Sequence, residues 1–151
     1  MDFKLTPEQE QFRDAVLRFA REQLAPKAIE RAHAKDYPWD VAELMAKQGL
    51  LGITIPEADG GQGGTLMDAV LAIEAVASAC PRSADVVQAG NFGAIRTFVE
   101  YASAEQKTRF LPDLLAGRKV VAKRARKRTP KLSTMRNFTP PSNMSEKCHS
   151  S

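Results

Sequence analysis

A cluster of four glycines is the clearest candidate for a ligand-binding loop in this 151-residue chain. The segment Gly60-Gly61-Gln62-Gly63-Gly64 stands directly before a predicted helix start at Thr65, where backbone N–H groups can bind a phosphate. The lysine of a P-loop is missing, and neither a convincing preceding strand nor a βαβ unit supports a dinucleotide-binding fingerprint. We therefore predict a structural turn and keep phosphate binding as the alternative.

The two histidines and two cysteines do not follow the spacing of a catalytic or metal site. His33 lies in a polar stretch, and no second His or Cys stands at metal-ligand spacing from it. Cys148 and His149 are adjacent rather than spaced, and two histidines so far apart support no Ser–His–Asp triad. Cys80 and Cys148 suggest no disulfide framework, which favours a reducing compartment. We predict no catalytic, cofactor-binding or metal-binding residue from these side chains.

The segment Lys123–Lys131, KRARKRTPK, is the strongest local charge signal. Residues 123–151 hold eight basic residues and one acidic residue, which leaves 14 basic and 17 acidic residues in 1–122, so the net charge of +4 comes from the tail. Such a run can bind phosphate backbones or act as a localisation signal. Only one aromatic residue, Phe138, and no nucleic-acid-binding motif accompany it. We favour a disordered tail without a role, and the alternative is a small helical binding module whose basic tail engages nucleic acid or anionic surfaces.

The chain lacks the sequence features of a membrane or exported protein. No apolar run approaches the roughly 18 residues that a membrane-spanning helix needs. Residues 1–5 resemble neither a signal peptide nor a transit peptide. We therefore expect a cytoplasmic protein without membrane contact, and we do not expect nucleic acid to be a partner.

Apolar residues at helical spacing predict two helices in the first 49 residues. Thr6 and Gln9 can form a capping box at the start of the first helix, which Pro26 should end or kink. A second helix is predicted from near Pro38 to Gly49, where the glycine acts as the C-terminal stop. The apolar segment 50–56 is too short to distinguish a strand from buried coil.

The remaining elements before residue 122 are also helical. Thr65 should cap a third helix that Cys80-Pro81 ends, and its apolar majority predicts a central helix covered on several sides. Its apolar residues are Met67, Val70, Leu71, Ile73 and Val76. Two short helices are predicted at 83–88 and 92–101, and a capping box opens a last helix over 103–117. The sequence therefore predicts an all-α bundle of about five or six helices.

Four segments in a fixed order carry a resemblance to a known family. They are LTPEQE at Leu5–Glu10, GLLGITIPE at Gly49–Glu57, GGQG at Gly60–Gly63 and ASAEQKTRFLPDLLAG at Ala102–Gly117. Together they resemble the N-terminal helical domain of acyl-CoA dehydrogenases. The resemblance covers residues 1–122 and implies the orthogonal α-bundle of that domain.

The resemblance implies a flavoenzyme that oxidises the Cα–Cβ bond of an acyl-CoA thioester. A glutamate base removes the α-proton while FAD accepts hydride from the β-carbon. It further implies acyl-CoA as substrate, an electron-transfer flavoprotein as electron acceptor, and a homo-oligomeric full-length protein. The family's middle β-domain, its flavin motif [ST]-E-P-x-[AS]-G-S and its C-terminal bundle with the base have no counterpart here. We therefore expect this chain alone to bind FAD poorly and to be inactive.

Part of the acyl-binding pocket is implied within the matched region. The segment 88–96 aligns with the family segment that lines the fatty-acyl tail. The candidate residues are Gln88, Asn91, Phe92, Gly93 and Ile95. Some of them could instead belong to the core.

The genetic code offers an explanation for the tail. The sequence KRARKR of residues 123–128 can be encoded by AAG CGA GCC CGA AAG CGG. Read one base later and into the codon of Thr129, the same bases encode SEPESG, which is the flavin motif that the resemblance predicts here. We therefore predict that residues 123–151 are a non-homologous, frameshifted and disordered tail.

Overall fold

The computed structural model describes residues 4–122, which form α-helices and contain no β-strand. The seven α-helices are α1 (Pro7–Phe19), α2 (Ala28–His33), α3 (Trp39–Lys47), α4 (Leu66–Ala79), α5 (Pro81–Asn91), α6 (Ala94–Tyr101) and α7 (Ala104–Leu115). All except the six-residue α2 have eight residues or more, so the predicted all-α bundle is confirmed. None of these helices is long and apolar enough to cross a membrane. The predicted tail, residues 123–151, lies outside the described residues.

Three helices begin with reciprocal capping boxes. In each, the N-cap hydroxyl accepts a hydrogen bond from the backbone N–H three residues later, whose side chain accepts one from the N-cap N–H. The pairs are Thr6–Gln9, Thr65–Asp68 and Ser103–Gln106. These local hydrogen bonds set the first residues of α1, α4 and α7 where the sequence predicts them.

The end of the first helix confirms the effect predicted for Pro26. After Phe19 the chain passes through a π-helical turn, Ala20–Leu24, and a 3₁₀ turn, Ala25–Lys27, before α2 begins. Proline has no N–H to donate to the preceding turn, so the α-helical pattern cannot continue through it. Leu24, the last residue of the π-helical turn, is fully buried in the core.

Helix α5 is longer than predicted. It runs from Pro81 to Asn91, whereas the sequence predicts a short helix over 83–88. Proline at the first helical position needs no hydrogen-bond acceptor, so the helix begins directly after Cys80. Gly90 is accommodated near its end because α5 there lies against Leu51, and a Cβ on Gly90 would lie 2.6 Å from a Leu51 methyl carbon.

Helix α4 is central but is not covered on all the sides that its composition predicts. It packs mainly against α1 and α5 through small residues, of which Ala69 and Ala72 are completely buried. Alanines let neighbouring helices approach closely along this face, and Val76 is buried with them. On another face, the apolar residues Met67 and Val70 are 47% and 45% exposed. The prediction of cover on several sides is therefore wrong for the first half of α4.

The segment between α3 and α4 joins the two parts of the core. It forms bends and turns rather than a strand, and buries Leu50, Leu51, Ile53 and Ile55. The first three pack in the main cluster with α1, α3, α4 and α5. Ile55 belongs to a second cluster with residues of α6 and α7. We call residues 50–56 the connector, because both clusters are built around it.

Candidate functional site

The five candidate acyl-pocket residues lie at the corner where α5 ends and α6 begins, and they differ in exposure. Asn91 and Ile95 are buried, Phe92 is half-buried, and Gln88 and Gly93 are exposed. We call this segment, residues 88–95, the α5–α6 corner. Its exposed and half-buried members can contact a ligand without rearrangement of the core.

Hydrogen bonds of Asn91 link the corner to the connector. Its side-chain amide nitrogen donates to the carbonyl oxygens of Leu50 and Val87, both at 2.8 Å. Its side-chain oxygen accepts from the N–H of Thr54 at 3.4 Å, and the Thr54 hydroxyl donates to the Asn91 carbonyl at 2.6 Å. Both amide hydrogens are thus engaged in a fully buried position. Asn91 therefore positions the corner and has no spare donor to offer a ligand.

Ile95 and Phe92 hold the corner from its apolar side. Ile95 is buried in the second cluster together with Ile55 and Leu111. Phe92 packs against the main cluster. The corner thus rests on both parts of the core, which makes it a rigid support for whatever binds at its surface.

Gly93 leaves open space at the surface of the corner. Its φ of +65° lies in the region that favours glycine, and a Cβ built there would meet no atom within 4 Å. Gln88 is exposed one helical turn before the end of α5. These two residues are the positions of the predicted pocket where a ligand can approach the backbone and a polar side chain.

The start of α4 lies beside this corner because neighbouring residues of the connector hold both. The N–H of Gly64, two residues before α4, donates to the carbonyl of Ile53 at 2.7 Å. Thr54, the next residue, makes the hydrogen bonds to Asn91. The exposed apolar side chains of α4 are therefore presented at the same end of the bundle as the corner. The sequence signal for them was the apolar majority of this helix, which by itself did not show which face is exposed.

The glycine cluster is a structural turn, as predicted. All five of its backbone N–H groups donate to backbone carbonyls, and four of the acceptors belong to residues 52–56 of the connector. The donor–acceptor pairs are Gly60–Glu57, Gly61–Pro56, Gln62–Gly52, Gly63–Ile55 and Gly64–Ile53, at 2.7 to 3.0 Å. A Cβ on Gly61 would overlap the Ile55 carbonyl oxygen. No N–H of this cluster is left to bind a phosphate.

A groove of about 840 Å³ separates the glycine cluster from α7. Its two charged lining residues, Asp59 and Lys107, pair with each other at 3.0 Å and are each largely buried. The pair ties the turn to α7, so its charges are satisfied within the domain. None of the five predicted site residues lines this groove.

Residues 4–122 contain no candidate metal-binding site. No group of three or more His, Cys, Asp or Glu side chains in this part of the chain could hold a metal ion. His33 is exposed at the end of α2, and the buried Cys80 accepts a hydrogen bond from the Ser83 hydroxyl at 3.0 Å. Cys148 and His149 lie outside the described residues.

Residues 6–118 match the family model for the acyl-CoA dehydrogenase N-terminal domain. The chain belongs to the acyl-CoA dehydrogenase family. This confirms the resemblance that the four sequence segments carry. Members of this family are oxidoreductases and flavoproteins.

The curated relatives that this acyl-CoA dehydrogenase family chain matches are longer than the chain itself. It is 36% identical to the 3-sulfinopropanoyl-CoA desulfinase of Paraburkholderia xenovorans over 117 residues, covering 78% of this chain and 30% of the relative. It is 30% identical over 122 residues to a short-chain-specific acyl-CoA dehydrogenase of Clostridium acetobutylicum, covering 81% of this chain and 32% of the relative. The chain thus spans about a third of the length of the curated relatives it matches.

A solved structure shows the same arrangement of helices. It is a chain from the structural study of the electron-transferring flavoprotein of Acidaminococcus fermentans and its flavin-based electron bifurcation. The TM-score is 0.69 at 29% identity, and the match covers 80% of this chain and 32% of that one. Residues 4–122 therefore have the fold of the acyl-CoA dehydrogenase N-terminal domain, and the α5–α6 corner lies at its surface.

Proposed function

We propose that this chain is the N-terminal part of an FAD-dependent acyl-CoA dehydrogenase, which oxidises the Cα–Cβ bond of acyl-CoA thioesters, and that it is inactive alone. The match of residues 6–118 to the N-terminal domain of the family carries the proposal. The relatives are about three times as long as the matched segment. Most of the family's machinery therefore lies outside the matched region.

Neither the glycine cluster nor the groove beside α7 offers a site for the pyrophosphate of FAD. A flavin dinucleotide needs donors for its pyrophosphate, and the glycine cluster that precedes α4 has none free. The two charged residues of the groove beside α7, Asp59 and Lys107, neutralise each other. This supports the expectation that the chain alone binds the flavin poorly.

The part that the chain contributes is one wall of the acyl pocket. An acyl chain needs an apolar, largely preformed surface with few polar groups. The α5–α6 corner can supply a preformed part of such a surface, because Asn91 and Ile95 fix its backbone from behind. Gly93 leaves room in front of it, beside Gln88 and the half-buried Phe92.

Partners and location are proposed at the level of the full-length family protein. They are acyl-CoA as substrate, an electron-transfer flavoprotein as electron acceptor, and further copies of the same chain. A cytoplasmic location is supported by Cys80, which is a free, buried thiol.

The tail is proposed to be a frameshifted extension. The support is the coding argument for residues 123–128, together with the end of the family match at residue 118. Sequencing the coding DNA beyond the codon for Ala122 tests it. Middle-domain sequence in another frame is expected, and its absence would overturn the frameshift.

Purified chain tests the proposed inactivity. We expect no flavin absorbance band and no acyl-CoA-dependent dye reduction, whereas the full-length short-chain-specific acyl-CoA dehydrogenase of Clostridium acetobutylicum, purified in parallel, should show both. A flavin-loaded chain that reduces the dye would contradict the proposal. DNA binding that falls steeply with salt, and disappears when residues 123–151 are deleted, would favour the basic-tail alternative.

A further inference from the structure

We propose that Asp85 selects acyl-CoA substrates whose acyl chain carries a positively charged amine at its far end, an inference that rests on the proposed function. Asp85 lies on α5, three residues before Gln88, the exposed polar residue of the proposed acyl wall. Side chains three positions apart are neighbours on a helix surface. The carboxylate of Asp85 therefore extends the wall that begins at the α5–α6 corner.

The outward surface of α5 is one stripe that changes from apolar to polar. It consists of Phe92, Ala89, Gln88 and Asp85, and we call it the α5 stripe. At 100° per residue these positions fall within about 100° of the helix circumference. Phe92 and Ala89 are half-buried, whereas Gln88 and Asp85 are exposed. An acyl chain that crosses the apolar end of the stripe therefore meets an amide and then a carboxylate.

The carboxylate of Asp85 is available to a ligand. In the described part of the chain it makes neither a side-chain hydrogen bond nor an ion pair. The basic residue three positions earlier, Arg82, could pair with it on the helix surface. Its guanidinium instead donates to the backbone carbonyl of Asp36 at 3.5 Å. The negative charge on the α5 stripe is thus not neutralised by its own helix.

A carboxylate beside an acyl pocket distinguishes substrates by the charge at the end of the acyl chain. In the closed pocket of a full-length enzyme, charges interact more strongly than at an open surface. A terminal ammonium is attracted to Asp85 and donates hydrogen bonds to it, with the side-chain oxygen of Gln88 as a second acceptor. A methyl group desolvates the carboxylate without pairing it, and a terminal carboxylate is repelled. The expected order of preference is therefore amine, methyl, carboxylate.

Binding to the full chain tests the selectivity without catalysis. The amide NMR signals of the isotope-labelled chain are followed while 6-aminohexanoyl-CoA or heptanoyl-CoA is added at low salt. These acyl groups have the same number of non-hydrogen atoms and differ in the terminal amine. We expect the amine to shift the signals of Asp85 and Gln88 more than heptanoyl-CoA does. The difference should vanish in Asp85→Asn and shrink with added salt, which screens the charges. Equal shifts from both thioesters would overturn the proposal.

A fusion measures the same preference in turnover. Residues 1–122 replace the matched N-terminal segment of the Clostridium acyl-CoA dehydrogenase. Asp85→Asn should lower kcat/KM for 6-aminohexanoyl-CoA relative to heptanoyl-CoA about tenfold, mainly through KM, because a hydrogen bond to a charged group is lost. Asp85→Lys should reverse the preference between 6-aminohexanoyl-CoA and adipoyl-CoA, which ends in a carboxylate. The matched control is Asp14→Asn, which removes the same charge on α1.

The two measurements separate this selectivity from the proposed function. If the fusion oxidises heptanoyl-CoA and Asp85→Asn changes the ratio no more than Asp14→Asn does, Asp85 does not select substrates, although the dehydrogenase function stands. If the fusion holds flavin but oxidises none of the thioesters, the proposed function fails. In that case the NMR comparison alone decides whether Asp85 recognises the amine.

Discussion

The side-chain amide of Asn91 donates to the backbone carbonyl of Leu50 across 41 residues of sequence, at 2.8 Å and in a fully buried position. This bond joins the end of α5 to the connector that runs between the two core clusters. The carbonyl of Leu50 and the N–H of Thr54 lie in a segment without regular secondary structure. Asn91 therefore replaces the partners that a strand or helix would provide for them.

Asn91→Ala should destabilise the domain by about 2–4 kcal/mol, because it leaves buried backbone groups of the connector without partners. Equilibrium unfolding in urea, followed by circular dichroism, measures the change. Gln88→Ala, in the exposed last turn of the same helix, should stay within about 0.5 kcal/mol of the wild type. Equal effects of the two substitutions would show that Asn91 has no special structural role.

Two glycine substitutions should have very different costs. Gly61→Ala places a methyl group against the Ile55 carbonyl, and backbone atoms cannot move aside without breaking the turn. We expect a loss of several kcal/mol, or failure to fold. At Gly93 the methyl group meets no atom, so only the backbone conformation with φ +65° and ψ −116° is penalised, by about 1–3 kcal/mol. Melting temperatures of both variants test which substitution costs more stability. A lower melting temperature for Gly93→Ala than for Gly61→Ala would contradict the prediction.

Gly93 should also affect the preference for acyl-chain length. This can be measured in a fusion in which residues 1–122 replace the matched N-terminal segment of a relative. Gly93→Leu fills the open space at the corner, so kcat/KM for longer acyl-CoA substrates should fall more than for the shortest one. A difference of about tenfold corresponds to about 1.4 kcal/mol, within the range of hydrophobic pocket contacts. Gly93→Ala serves as the matched control, because it carries the same backbone penalty but adds only a methyl group to the open space. If Gly93→Leu leaves the chain-length preference unchanged, the α5–α6 corner does not line the acyl pocket.

Asp113 should make stability depend on pH in the acidic range. Hydrogen bonds from Lys119 and Arg118 lower the pKa of Asp113 below the ordinary value of 3.8. A carboxylate with a lowered folded-state pKa stabilises the folded protein fully above the unfolded value, and this contribution is lost as the pH falls through the folded pKa.

The comparison of wild type with Asp113→Asn tests this linkage. The variant should be less stable at neutral pH, and the gap in free energy of unfolding should close as the pH falls below about 4. Asp14→Asn is the matched control, because Asp14 forms an exposed ion pair with Arg13. The free energy of unfolding of this variant should differ little from that of the wild type at any pH. A gap that stays constant down to pH 2 would show that the aspartate acts without its charge.

The sequence predicted helix starts well because the determining contacts are local. Thr6, Thr65 and Ser103 each form capping hydrogen bonds with residues three positions away, so the bonds form in any helix that begins there. The same holds for Pro26, whose effect on the preceding turn needs no tertiary contact. The extent of α5 was less predictable, because glycine ordinarily weakens a helix, and only the tertiary structure shows that a side chain at position 90 would crowd Leu51.

For the candidate site, the sequence located the right segment but could not separate its roles. Gln88, Asn91, Phe92, Gly93 and Ile95 are neighbours along the chain, and nothing local distinguishes a wall residue from a core residue. Whether a residue is buried depends on the segment that packs against it. Asn91 and Ile95 are buried against the connector, which lies about 40 residues earlier in the sequence. Phosphate binding at the glycine cluster was excluded by hydrogen bonds to the same connector.

By itself, the sequence determined the all-α class, the helix starts and membership of the acyl-CoA dehydrogenase family, because caps, breakers and short motifs act over a few residues. Only the tertiary structure decided which side of α4 is buried and which is exposed. Leu66, Met67 and Val70 are as apolar as the residues of a core, but the alanines of the opposite face allow closer packing against α1 and α5. Close packing on one face left the other without a partner, and that choice depends on contacts between distant helices.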